Sequence, residues 1–103
     1  MIKVSFKVEE NRISGFEIKG HSGYAESGSD IVCAAVSSAA YMTANTITDV
    51  ICSKADVKCD EGYLFLKLLE KDETSFKVLE GFKMHIDALS KQYPKNIRIF
   101  TEV

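Results

Sequence analysis

The stretch Ile2–Ile18, IKVSFKVEENRISGFEI, decides the fold class. Ile2, Val4, Phe6 and Val8 alternate with Lys3, Ser5, Lys7 and Glu9, the period-2 signature of a strand with one face buried and one wet. Glu10-Asn11 interrupts the alternation as a hairpin turn, and Phe16 and Ile18 resume it on the returning strand. A chain that opens this way builds on an antiparallel sheet. Its first residues alternate instead of forming an uninterrupted apolar segment, which predicts a strand and no secretion signal.

Working outward, a glycine-containing loop follows, and then an apolar helix from about Ile31 to Cys52. A strand is expected at Ala55–Cys59, a turn at Asp60-Glu61-Gly62, and another strand at Tyr63–Leu69 with both faces largely apolar. A second helix from about Glu73 to Gln92 carries Leu79, Phe82, Ile86 and Leu89 as its inward stripe. Pro94 stops it, and Ile97 and Ile99 alternate in a last strand. The order ββαββαβ gives an α+β fold, a mostly antiparallel sheet packed against two helices, over residues 1–103 as one domain.

Composition narrows the function classes. The chain has 103 residues, 46% apolar and 27% charged, with a net charge of −2, which fits a folded globular protein. No run of Lys or Arg forms a stripe and no exposed aromatic–basic cluster is legible, so direct nucleic-acid binding is not expected. No apolar stretch is read as reaching membrane-spanning length. Three cysteines without a secretion signal suggest free thiols in a reducing cytoplasm.

The chemistry concentrates in Gly20–Ser38, GHSGYAESGSDIVCAAVSS. Asp30 reads as the N-cap of the first helix, worth about 1 kcal/mol. Cys33 then falls in the first helical turn, where unpaired backbone N–H groups and the positive end of the macrodipole favour a thiolate. His21 lies twelve residues upstream on a loop with Gly20, Gly23 and Gly28, placed to act as its base if the loop folds back. Ser37 sits one turn after Cys33 on the same face, as a pocket-lining hydroxyl or simply a small packing residue. Cys52 and Cys59 read as structural, and His85 as a solvated residue on the flank of the second helix. The first helix is rich in Ala and Ser and nearly uncharged, so it needs cover, either from the second helix or from a second copy of the chain.

These residues resemble the signature of the ribosomal-processing cysteine protease family (Prp), in which a GHAGYA-like stretch precedes a G-x-D-I-V-C-A-A-V-S helix start. The resemblance implies His21 and Cys33 as the catalytic pair; no cofactor and no metal are expected. It further implies a cytoplasmic bacterial homodimer that removes an N-terminal extension from a large-subunit ribosomal protein after a hydrophobic, Phe-containing motif. Two other readings stand beside it. One is a non-catalytic ribosome-associated binding module. The other is a metal site on His21, Cys33, Cys52 and Cys59, for which no C-x-x-C or H-x-x-x-H spacing exists.

Overall fold

The opening hairpin forms as its alternation demands. In the computed structural model, which describes residues 1–20 and 30–103, β1 (Ile2–Glu9) pairs antiparallel with β2 (Arg12–Lys19). Glu10 and Asn11 both take positive φ, 52° and 65°, as the tight turn of a two-residue hairpin requires. The register slips between Lys7 and Val8, which leaves Val8 half-buried while Ile2, Val4 and Phe6 are buried. Ser14 is buried at this irregularity and donates its hydroxyl to the Lys7 carbonyl at 3.4 Å.

The remaining elements are α1 (Asp30–Asn45), β3 (Ala55–Asp60), β4 (Tyr63–Leu68), α2 (Glu73–Gln92) and β5 (Ile97–Glu102). The sheet order is β3-β4-β2-β1-β5. Every neighbour pair is antiparallel except β1–β5, which is parallel because α2 carries the chain back across the sheet before β5 begins. This is the expected ββαββαβ order.

The helices contribute to one buried cluster with one face of the sheet. Val32, Val36, Ala40 and Ala44 of α1 and Leu79, Phe82 and Ile86 of α2 join Phe6, Phe16 and Leu66 in it. Phe82 lies tilted against Phe16 at 4.7 Å and meets Phe6 edge-on at 5.7 Å, and such ring pairs add about 1 kcal/mol each beyond the area they bury. Asp72 caps α2, accepting from the Thr74 N–H at 3.2 Å and from the buried Ser75 hydroxyl at 2.8 Å.

Three expectations need correction. The first helix does not run regularly to Cys52. After Asn45 it widens into a π-helical turn, Thr46–Val50, where Thr43, Thr46 and Thr48 bond the carbonyls four residues back and so compete with the regular ladder. The run Ile31–Val50 is 20 residues long and apolar enough to cross a bilayer by length and composition, contrary to the reading that none reaches that length; part of its apolar content is core. Cys52 and Cys59 are both exposed instead of packed as small hydrophobes. Cys52 takes a positive φ of 61° past the π turn, and Cys59 lies on the sheet's edge strand.

Candidate active site

Cys33 is the fourth residue of α1. Helix periodicity turns Val32 and Val36 into the core, and Cys33, between them, is half-buried against it. The first turn of a helix carries backbone N–H groups without intrahelical acceptors and about half a positive charge from the macrodipole. Such N–H groups favour an anion placed beside the helix start. Asp30 is the first residue of α1. None of the three cysteines forms a disulfide.

Ser37 follows Cys33 by one turn and is exposed, about 6 Å along the same face by helix geometry. It opens onto a small cleft of about 70 Å³ between α1 and the end of the sheet. Gly20, Tyr41, Gly62 and Tyr63 form its walls, and Ile18, Ala40 and Leu64 its apolar floor. Tyr41 lies one further turn on and shares a hydrogen bond with the Cys59 sulfur at 3.0 Å. That bond, with desolvation, raises the Tyr41 pKa above its ordinary value. The Tyr63 hydroxyl donates to Glu17 at 2.6 Å. The bond from Tyr63, aided by Lys19 and Lys7, holds the Glu17 carboxyl below its usual range, and the same bond raises Tyr63.

Gly20 is where the chain leaves β2. Its N–H donates to the Gly62 carbonyl at 3.0 Å, its φ is +94°, and a Cβ placed on it would lie 2.5 Å from the Met1 carbonyl oxygen. Only glycine fits such a position without strain. The β3–β4 turn and the chain start therefore fix the point from which the sequence continues to His21. His21, Gly23 and Gly28 lie outside the described residues, as does the rest of 21–29.

The structure thus brings Gly20 and Ser37 into one cleft, with Cys33 one helical turn from Ser37. The sequence reading missed Tyr41 and Tyr63 as walls. Tyr41 follows Cys33 at i+8, a spacing that carries a signal only once α1 is known to lie beside β3. His85 is exposed as expected, yet it also lines a larger groove of about 630 Å³ beside Ala35, Ala39, Met42 and Val78, between α1 and α2.

Comparison with known proteins bears on this arrangement. The family described as cysteine protease Prp matches residues 1–98. The chain is 24% identical over 111 residues to the ribosomal processing cysteine protease Prp of Bacillus subtilis, covering 100% of this chain and 99% of the relative. It is 26% identical over 104 residues to the protein of the same name from Staphylococcus aureus strain Mu50, covering 96% and 97%. The fold superposes with a TM-score of 0.92 on a crystal structure of the essential ribosomal processing protease Prp from S. aureus in complex with a covalently linked product peptide. There the identity is 23%, over 99% of this chain and 100% of the other.

Proposed function

Since this chain belongs to the cysteine protease Prp family, we propose that it is an endopeptidase that removes an N-terminal extension from a large-subunit ribosomal protein, with Cys33 as nucleophile and His21 as its proton acceptor. The relatives are named ribosomal processing cysteine proteases, and one S. aureus relative is described with a covalently linked product peptide. The observation that carries the reading is the family match over residues 1–98 on a chain whose Cys33 stands in the first turn of α1.

The chemistry proceeds through a thioester. The Cys33 sulfur adds to the scissile carbonyl, the C–N bond breaks, and the leaving amine takes a proton from the His21 imidazolium. Water, giving its proton to His21, then hydrolyses the thioester, which frees the N-terminal fragment and regenerates the thiol. Backbone N–H groups at the start of α1 stabilise the oxyanion in both halves. Cleavage follows a hydrophobic, Phe-containing motif. Ser37 lines the substrate cleft.

The enzyme acts in the cytoplasm as a homodimer. Ile31, Met42 and Val50 on the first helix and its π turn are 57%, 72% and 77% exposed, and Met84 on α2 is 74% exposed. The second helix leaves them uncovered, and a second copy is the commonest cover for such a face. The deciding test is incubation of the full chain with peptides spanning a Phe-containing ribosomal-protein extension. Cleavage after the Phe motif that disappears in Cys33→Ala supports the reading; absence of cleavage across the set, or an active Cys33→Ala, defeats it.

A further inference from the structure

The face of the sheet turned away from the helices carries charges that the sequence alone does not group. Residues directly opposed on neighbouring strands share a face. Lys19 stands opposite Lys3, and Lys3 opposite Arg98, so three exposed cations form one row across β2, β1 and β5. Like charges set directly opposite each other destabilise a sheet, and this fold retains the row. Of the carboxylates on the same face, Glu17 pairs with Lys19 of this row, and Glu102 is engaged elsewhere. Glu102 pairs with Lys7 at 3.2 Å, and Glu17 accepts from Tyr63 at 2.6 Å and lies 3.6 Å from Lys19. Among the described residues, Lys3 and Arg98 have no ion pair.

The adjoining row sets aromatic rings beside those cations. Phe65 of β4 opposes Glu17, which opposes Ser5, which opposes Phe100 of β5. Phe100 is 42% exposed, and Lys58 and Lys7 sit 5.5 and 5.7 Å from the Phe65 ring centre. The two rings are three strand spacings apart, about 14 Å. Rings on a sheet with cations alongside suit stacked bases and the phosphates between them. An acidic peptide would use the cations but has no use for the rings.

From this placement we infer that the outer sheet face binds single-stranded nucleic acid, with Lys19, Lys3 and Arg98 on the phosphates and Phe100 and Phe65 stacking bases. Lys3, Arg98 and Phe100 share no residue with the cleft beside Cys33, so their part of the surface is tested apart from peptide cleavage. With about three phosphate contacts on a single strand, affinity falls about 20-fold between about 50 and 200 mM salt.

The test is fluorescence anisotropy of the full chain with labelled RNA and DNA oligonucleotides of about 12 nucleotides, alongside cleavage of a short peptide. The wild-type chain binds with the salt dependence given above, and equal or unequal affinity for the two oligonucleotides tells whether the 2′-hydroxyl is read. Lys3→Glu with Arg98→Glu weakens binding more than about tenfold and flattens the salt slope. Phe100→Ala weakens it about fivefold or more with the slope unchanged. Peptide cleavage stays at the wild-type rate in both variants. Absence of binding at low salt, a wild-type salt slope in the charge-reversed variant, or equal binding of a polyglutamate peptide would each overturn the inference.

Discussion

Replacing Gly20 by Ala tests whether the end of β2 is the fixed point of the active site. The backbone there has φ +94°, and holding a residue with a Cβ in the left-handed region costs about 1–2 kcal/mol. The new methyl would lie 2.5 Å from the Met1 carbonyl oxygen, so backbone must move. The 3.0 Å bond from the Gly20 N–H to the Gly62 carbonyl, worth about 1 kcal/mol, anchors the backbone that has to shift. Together these give a loss of about 2–3 kcal/mol, or about 10–20 °C in Tm for a domain of this size. Gly20 directly precedes His21, and a displacement of about 1 Å in a catalytic group costs about 100-fold in turnover. Thermal unfolding and peptide turnover below the transition, measured on one preparation, separate the two effects. A Tm within about 2 °C of the parent would refute the strain argument. A lowered Tm with undiminished kcat would refute the link from Gly20 to His21.

Asp72→Ala removes the cap of α2 and strands the buried Ser75 hydroxyl, which predicts a lowered urea midpoint, with Asp72→Asn recovering part of it. The hydrogen bond from Ser75 holds the Asp72 carboxyl below its usual range, and that from Tyr63 does the same for Glu17. Folded values below the unfolded ones mean stability that is full above the ordinary carboxylate range and lost as pH falls through the depressed values. Glu17→Gln with Asp72→Asn therefore flattens the decline of stability below about pH 4; an unaltered decline would contradict the assignment. By accessibility alone the exposed Cys52 and Cys59 would alkylate before half-buried Cys33, whereas the proposed role of Cys33 as nucleophile predicts that it reacts first at neutral pH, as peptide mapping would report. Sedimentation should give about twice the 11.5 kDa chain mass, and Met42→Glu should return it to the monomer value; a wild-type monomer at high concentration would remove the dimer.

The fold was legible where burial and periodicity coincide. The alternation in Ile2–Val8, the turn at Glu10-Asn11 and the stripe Leu79, Phe82, Ile86 each state one local choice that the packed sheet confirms. Misreadings arose where a local competitor or a distant partner decides. Three threonine hydroxyls widen the end of the first helix, and no apolar pattern registers that. Cys52 and Cys59 read as structural because one ends an apolar helix and the other a strand, yet both are exposed, since element ends and edge strands are the places where such residues emerge. In the candidate site, the place of Cys33 in the first turn of α1 was legible from local sequence alone. The cleft does need it, because Tyr41 and Tyr63 meet only through the packing of α1 beside the β3–β4 hairpin. The row Lys19, Lys3 and Arg98 is likewise a product of register, spread over residues 3 to 98 of the sequence.

The central claim is that Cys33 carries the acyl group during peptide hydrolysis. The most direct measurement is intact-mass spectrometry of the full chain quenched in acid during turnover of a peptide with a Phe-containing ribosomal extension, followed by mapping of the modified residue. The account predicts an adduct equal to the N-terminal fragment less water, located on Cys33, absent from Cys33→Ala and retained in Cys52→Ala and Cys59→Ala. An adduct on Cys52 or Cys59, or steady cleavage by Cys33→Ala, would contradict it.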